Sequence, residues 1–199
     1  MKPNLILDSL PETVKVKGRE FFVDADFRTF IRFEQILLDD EKGAAEKATS
    51  ILRMCYPRGG PNDIEAAFNE LIVFYRCGEL DEKRRRTSKN GDVEIKPKMI
   101  YSFEHDAPYI FAAFLAQYGV DLTEVEFLHW WKFCAMFQGL NDDAKICKIM
   151  SYRAADLSKI SDKKERSRIA KLQRIYAIPQ NMTREEKIAS AGAVFGGLM

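Results

Sequence analysis

The sequence is poor in the side chains that most often carry catalysis or hold metals. Histidine occurs only twice in 199 residues, as His105 and His129. A zinc site needs several Cys or His ligands at short spacing, whereas His129 and Cys134 are five positions apart and fall on different helix faces. We therefore expect no metal ligands. We interpret His105 as a residue near a helix start and His129 as one packed beside the tryptophans.

Cysteine pairs, long apolar runs and net charge are scarce as well. None of the four cysteines forms a Cys-x-x-Cys pair, and no stretch approaches the roughly 20 apolar residues of a membrane-spanning helix. The Met-Lys-Pro-Asn start lacks the apolar segment of a secretory signal. We expect free, mostly buried thiols, a cytoplasmic location and no membrane partner. The formal net charge of +1 draws the chain as a whole to neither nucleic acid nor acidic substrates.

Motifs of catalysis and phosphate binding are missing too. The adjacent residues of Glu104-His105-Asp106 cannot all face one substrate, and no nucleophile motif accompanies them. They favour a helix entry, with Asp106 as a cap ahead of Pro108. Gly59-Gly60 and Gly196-Gly197 lack the preceding strand and the Lys-Ser/Thr of a phosphate loop. We therefore expect no catalytic residues, no cofactor and no enzymatic activity.

The sequence does contain the patterns of a helical globular protein. Hydrophobic residues make up 46% and charged residues 31% of the chain, a typical globular balance. Two alternating segments, Thr13–Val16 and Glu20–Val23, flank a turn with Gly18 and predict a hairpin. Asp24 or Asp26 then caps a first helix. We predict a mainly α (α+β) fold, a multi-helix bundle of about seven helices in two clusters with this small amino-terminal β-hairpin.

Apolar periodicity and capping residues place the other helices. The predicted helices are one from Ala44 to Cys55, one with Pro61 in its first turn, one from Pro108 closed by Gly119, one from Thr123 to Gln138, one capped by Asn141 and one started by Asp162 and Glu165. Thr123 and Glu126 match a capping box. Their helix is apolar on nearly every side, so we expect it to be the most buried.

Composition divides the chain into four parts. Residues 1–78 are predicted to hold the hairpin and the first helices, and residues 99–179 a carboxy-terminal helical cluster. Between them, residues 79–98 are low in apolar content and contain Asn90-Gly91, which predicts a flexible basic loop. Residues 180–199 are expected to form a disordered tail, because their small side chains bury little.

One charged run raises the alternative of nucleic-acid binding. Lys83, Arg84, Arg85 and Arg86 could contact phosphates, but Asp81 and Glu82 precede them and neither stacking aromatics nor a recognition helix accompanies them. The Lys and Arg residues after Asn141 are spaced along helices among acids, which favours solvated faces. We predict only weak, non-specific binding that is lost near physiological salt.

The adjacent pair Trp130-Trp131 raises the alternative of a partner-binding site. Neighbouring helical residues diverge by about 100°, so either the helix is surrounded or one indole is half exposed. Tryptophan is favoured at binding hot spots. Our hypothesis is an apolar groove with Phe127, Trp130 and Trp131 near it and Tyr118 at its edge. The alternative is that both tryptophans pack in the core.

Several segments resemble one protein family. They are Met99–Phe114, Tyr118–Leu122, His129–Phe133 with Phe137–Leu140, Ile149–Arg153 with Asp156-Leu157-Ser158, and, near the amino terminus, Leu10-Pro11 with the hairpin and Asp24–Arg28. Over about residues 5–179 the chain resembles the bacteriophage gp fifteen family of phages and prophages from Gram-positive bacteria. The Tyr-Ser-Phe-Glu-His-Asp and Trp-Trp-Lys-Phe elements are the specific ones.

The resemblance implies a role in tail morphogenesis. Such proteins are typically encoded between the major tail protein and the tape-measure protein, which implies a non-catalytic tail-assembly chaperone that binds the tape-measure or another tail protein. The family supplies no catalytic residues. One alternative is a structural head–tail or tail subunit retained in the virion, and another is a DNA-binding phage protein. Self-association into a homo-oligomer stays open.

Overall fold

The computed structural model describes residues 3–39, 41–78 and 99–179. Within these ranges the chain forms seven α-helices, one 3₁₀ helix and a two-stranded antiparallel hairpin, which confirms the predicted fold class. By their contacts the described residues divide into two units, one of residues 3–39, 41–78 and 108–141 and one of residues 99–107 and 142–179. The predicted basic loop with Lys83–Arg86 and the predicted tail lie outside the described residues.

The hairpin forms as predicted. Strand β1 (Thr13–Val16) pairs with β2 (Arg19–Phe22). Lys17 and Gly18 between them have φ angles of 47° and 82°, and a two-residue hairpin turn of type I′ has positive φ at both positions. Glycine adopts this conformation without strain. Val14 and Val16 then point to the buried side of the hairpin.

The first unit contains the hairpin and most of the helices. They are α1 (Phe27–Leu37), α2 (Ala44–Cys55), α3 (Ile64–Tyr75), α4 (Ala107–Tyr118, from Pro108 onward) and α5 (Trp130–Gln138). Asp26 caps α1, since its carboxylate accepts from the Arg28 N–H at 2.9 Å. Gly119, with φ 65°, ends α4 as predicted. The prediction that Pro61 lies in the first turn of α3 is wrong, because Asp63 caps that helix by accepting from Ala66 N at 3.0 Å.

Stacked aromatic rings form the core of the first unit. The Phe133 ring stacks on Phe27 and on Phe114, with centroids 5.0 Å apart in both pairs. The Phe30 ring stacks on Phe74 at 5.0 Å and on Trp130 at 5.7 Å. These rings are buried, and offset stacking adds to the free energy gained from burying their area.

The helix predicted from Thr123 to Gln138 is shorter in the structure. It begins only at Trp130, and the preceding residues form turns. The predicted capping box does not form, because Asp121 Oδ1 accepts from the Thr123 backbone N–H at 2.8 Å and from its hydroxyl at 2.6 Å. The Thr123 N–H, which Glu126 would satisfy in a capping box, is thereby taken up in a local turn.

The second unit holds α6 (Lys145–Ala154), the 3₁₀ helix Leu157–Lys159 and α7 (Lys163–Ile175). Asp162 caps α7 as predicted, accepting from Glu165 N at 2.6 Å. Asn141 does not cap α6, because that helix starts after Ala144 without a side-chain cap. None of the described helices has the length and apolarity needed to cross a bilayer.

A buried ion pair lies inside the second unit. Arg153 Nη1 and Nη2 donate to Asp106 Oδ2 and Oδ1 at 2.6 and 2.9 Å, and the two side chains are 6% and 2% exposed. Arg153 Nε donates to Tyr176 O at 2.6 Å, and Ser102 N donates to Asp106 Oδ2 at 2.8 Å. Asp106 directly precedes α4, and its carboxylate accepts from Arg153 and Ser102. That it also caps α4 stays a prediction.

Candidate partner-binding site

The two tryptophans lie where the end of α3 meets the start of α5. Trp130 Nε1 donates to Tyr75 O and Trp131 Nε1 donates to Phe74 O, both at 2.8 Å. The last carbonyls of a helix have no partner within it. The two adjacent indoles therefore satisfy two adjacent carbonyls at the end of α3.

The remaining carbonyls in the last turn of α3 are satisfied by the chain that follows. Ile72 O accepts from Arg76 N at 3.0 Å, and Val73 O accepts from Gly78 N at 2.9 Å. Phe74 O also accepts from Cys77 N at 2.9 Å. Cys77 and Gly78 have φ angles of 54° and 76°, a left-handed termination common at helix ends. The whole carboxy-terminal turn of α3 is thus hydrogen-bonded.

Both tryptophan side chains are buried. Trp130 is 3% and Trp131 is 5% exposed, and the Trp130 ring stacks on Tyr75 at 5.4 Å. The expectation that Trp130 stays half exposed is therefore wrong, and packing in the core explains the pair. Neighbouring helical residues point in different directions, but here both indole N–H groups reach carbonyls at the same end of α3.

His129 caps α5 through its ring. Its Nδ1 accepts from Trp131 N at 3.0 Å, and its Nε2 lies 3.0 Å from Pro11 O. A carbonyl only accepts, so we assign the proton to Nε2 and leave Nδ1 as the acceptor of a neutral imidazole. Burial lowers the pKa of His129, although the Pro11 carbonyl opposes this effect. The predicted position beside the tryptophans is confirmed, since the His129 and Trp131 ring centroids are 6.0 Å apart.

The segment ahead of α5 is fixed to the start of α1. Trp130 N donates to Ala25 O at 2.7 Å, and Phe27 N donates to Leu128 O at 2.9 Å. Arg28 Nη2 donates to the carbonyls of residues 122 and 125 at 3.0 and 2.6 Å. The sequence-based interpretation missed this role of Arg28, because these partners lie 94 and 97 positions away along the chain.

The four predicted partner-binding residues do not line one groove. Phe127 is 51% exposed, and its ring contacts His129 at the start of α5. Tyr118 donates through its hydroxyl to Met136 O at 2.8 Å, near the other end of that helix. The structure therefore places Trp130 and Trp131 in the core and leaves Phe127 exposed beside His129. That Phe127 or Tyr118 contacts a partner stays a prediction.

A small cluster of titratable groups, also missed from the sequence, lies beside the tryptophans. The Tyr75 hydroxyl donates to the Glu34 carboxylate, and burial raises the pKa of Glu34. A hydrogen bond with the Cys77 side chain, followed by burial, raises the pKa of the Cys134 thiol. A raised pKa suppresses the thiolate that nucleophilic chemistry requires. Among the described residues no group of three His, Cys, Asp or Glu is placed to hold a metal ion.

The cysteines are all free but less buried than predicted. Cys55 is buried, whereas Cys77, Cys134 and Cys147 are partly exposed. Burial raises the pKa of the Cys55 thiol to about 12. At neutral pH this thiol is protonated and behaves as a small hydrophobic side chain.

Exposed apolar surface lies instead near the amino terminus. Ile6 and Leu7 are 91% and 80% exposed. They lie in a turn in which Asp8 N donates to Asn4 O at 2.8 Å and Asn4 N donates to Asp8 Oδ2 at 2.7 Å. This turn presents two adjacent large apolar side chains to solvent, and they are the most exposed large apolar side chains among the described residues.

Comparison with known proteins identifies a family. The family model described as Bacteriophage Gp15 protein matches residues 6–178. No curated protein and no solved structure matches the chain. The matched range runs from the exposed amino-terminal turn past the end of α7, so it takes in both units.

Proposed function

The chain belongs to the Bacteriophage Gp15 protein family, and from this premise we propose that it is a non-catalytic tail-assembly chaperone that binds the tape-measure protein. Membership in the family makes it a phage structural or morphogenesis protein. The chaperone activity, the tape-measure client, the host cytoplasm as its location and the absence of catalysis are the proposal.

The exposed apolar turn with Ile6 and Leu7 carries the proposal. A tape-measure protein is long, helical and apolar, and it must stay soluble until the tail tube polymerises around it. A protein that protects such a client needs accessible apolar surface. Because Trp130 and Trp131 are used inside the fold, we assign the first contacts to Ile6 and Leu7, with Phe127 as a further exposed ring.

Co-purification tests this assignment. The chain is co-expressed with the tape-measure protein encoded beside it, and captured client is quantified. Ile6→Ser/Leu7→Ser should reduce capture at least about tenfold, equivalent to about 1.4 kcal/mol. The matched control is Leu38→Ser/Leu115→Ser, which removes two exposed leucines elsewhere and should leave capture unchanged. Failure of the wild type to capture client, or equal loss in both variants, would contradict the proposal.

The family membership fits a second role equally, that of a structural subunit retained in the virion. Mass spectrometry of purified particles separates the two roles. A chaperone should be absent or present only in traces, because it leaves when the tube is complete. Stoichiometric copies in the particle would replace the chaperone proposal with the structural one.

A further inference from the structure

Helix α7 concentrates positive charge that the overall composition hides. Between Lys163 and Ile175 there are six basic residues and one acidic residue, a net charge of +5, while the whole chain carries +1. A local field depends on where the charges lie and not on their total.

Four of the six basic side chains of α7 share one face. At about 100° and 1.5 Å per residue, the cations Lys163, Lys164, Lys171 and Arg174 fall within an arc of about 100°, over a length of about 17 Å. All four are exposed to solvent. Ser167, also exposed, lies between them on the same face. We call these four cations the basic face.

The acids near this helix are engaged elsewhere. Asp162 caps the helix, and Glu165 forms two hydrogen bonds with Arg168, at 2.7 and 2.6 Å. In the ranges that the structure describes, no carboxylate forms an ion pair with the basic face. The acids that accompany these cations in the sequence, Asp162 and Glu165, therefore do not pair with this face.

The opposite side of α7 fixes its position. Ile169 is buried, and Gln173 Nε2 donates to Tyr152 O and Ala155 O at 2.8 Å. These bonds tie the helix to the end of α6, which belongs to the same unit. The basic face is thus presented by an anchored helix, and its side chains are ordered at their base before any ligand arrives.

We propose that the basic face binds the phosphate backbone of duplex DNA without reading its sequence. Duplex DNA carries one negative charge per about 1.7 Å of axis, so a face of about 17 Å lies along about ten of them. Electrostatic contact to phosphates is sufficient for non-specific binding. No base-reading element is required.

The composition of the basic face favours DNA over a protein partner or a membrane surface. A protein interface has an apolar core, and a helix at a membrane surface buries an apolar stripe in the lipid. The basic face contains neither, since the one exposed apolar side chain of α7 is Ile175 at its last position. A ligand that needs only cations fits this composition best.

The test is fluorescence anisotropy with the full chain and labelled 20-base-pair duplexes of two unrelated sequences, from 25 to 200 mM KCl. The affinities for both sequences should agree. The logarithm of the affinity should fall with the logarithm of salt with a slope of about 3 to 4, since each of four contacts contributes about 0.9. No binding at 25 mM KCl would overturn the inference.

Two matched variants assign the binding to the face. Lys163→Gln/Lys164→Gln/Lys171→Gln/Arg174→Gln should weaken binding at least about tenfold at 50 mM KCl and reduce the slope to about 1 or less. The control neutralises four exposed cations of the first unit, Lys15, Arg32, Arg53 and Lys132, and should change affinity less than about twofold. Circular dichroism and thermal melting verify that both variants fold.

The remaining outcomes would assign DNA binding to other residues, or the basic face to another ligand. Equal losses in both variants would mean that only net charge matters. Loss of binding on replacing Lys83–Arg86 with Gln, with the α7 variant unaffected, would assign DNA to that other run. Polyglutamate binding as tightly as DNA would assign the face to acidic proteins. Each of these results overturns the inference, and none bears on tape-measure capture, which is measured separately.

Discussion

Different kinds of interaction stabilise the interior of each of the two units. In the first unit, stacked rings such as Phe30, Phe114 and Phe133 fill the interior, and indole N–H groups satisfy the end of a helix. The second unit contains the buried pair of Asp106 and Arg153 and fewer buried apolar side chains, which are Phe103, Ile146, Ile149 and Ile169. An aromatic core loses stability in proportion to the contacts removed, whereas a buried ion pair leaves an unpaired charge when one partner is removed.

The largest expected effect comes from removing one partner of that pair. Arg153→Ala should lower the free energy of unfolding by about 3–5 kcal/mol, because Asp106 is left charged and buried. Urea denaturation of the full chain measures it. The control Asp106→Leu/Arg153→Met replaces both charges with apolar groups and should cost clearly less than the single substitution. A single variant that loses under about 1 kcal/mol would contradict the comparison.

A smaller effect is expected from the corresponding polar contact in the first unit. Trp131→Phe keeps an aromatic ring but removes the indole N–H from Phe74 O, which retains the Cys77 N–H as a donor. We expect a loss of about 1–3 kcal/mol, combining a lost hydrogen bond and a smaller ring. Trp131→Ala should cost more than Trp131→Phe, because it also removes the aromatic ring from the core. If both variants match wild-type stability, the indole does not support the end of α3.

Removing one helix cap in each unit tests the comparison with smaller expected losses of stability. Asp162→Ala removes a cap from α7 and should cost about 1 kcal/mol. Asp26→Ala should cost more, because Asp26 also accepts from Leu128 N at 3.3 Å and pairs with Arg28. Equilibrium unfolding of both variants tests the order. The reverse order would mean that the loop ahead of α5 does not depend on Asp26.

The smallest effect is a pH dependence that belongs to the first unit. The pKa of His129 is lowered from its ordinary value of 6.5, so below pH 6.5 the unfolded chain takes up a proton that the folded chain resists. Its contribution to stability should therefore be lost as pH falls through 6.5 toward the lower folded pKa. Thermal melting between pH 7 and 5 measures this loss.

Glu34 acts in the opposite direction and must be removed from the measurement. Its pKa is raised from 4.5, so its contribution is present at low pH and is lost as pH rises through the folded pKa. The reference is therefore Glu34→Gln. Adding His129→Asn should abolish the remaining pH dependence while the Asn side chain keeps a capping group. An unchanged profile would show that His129 does not titrate in this range.

Features set by local chemistry were predicted from the sequence. The hairpin turn at Gly18, the helix end at Gly119 and the caps at Asp26 and Asp162 each depend on residues within a few positions. The capping box at Thr123 failed although it was local, because Asp121 accepts from the Thr123 N–H that Glu126 would have satisfied. Periodicity correctly identified an apolar helix but gave a start six residues or more too early.

The candidate site depended on contacts that periodicity does not encode. An apolar period of 3.6 residues shows which residues share a helix face. It does not show that two indoles point at the carbonyls at the end of another helix. Nothing in the local sequence distinguishes Arg28 and Arg153 from surface arginines. Each side chain nevertheless donates hydrogen bonds to groups of this chain that are remote in sequence. The basic face was hidden for a related reason, since acids adjacent in sequence can be engaged away from it.

The distance along the chain between partners in the first unit has a consequence for its synthesis. Trp130 and Trp131 donate hydrogen bonds to carbonyls that lie 55 and 57 residues earlier in the chain. The His129 ring bonds to the Pro11 carbonyl, 118 residues earlier. On the ribosome, α3 emerges well before the indoles that complete its last turn. The nascent first unit must therefore wait, with Phe30 and Phe74 uncovered, until about residue 140 has left the exit tunnel. During that interval the polypeptide itself has the exposed apolar surface that attracts host folding factors.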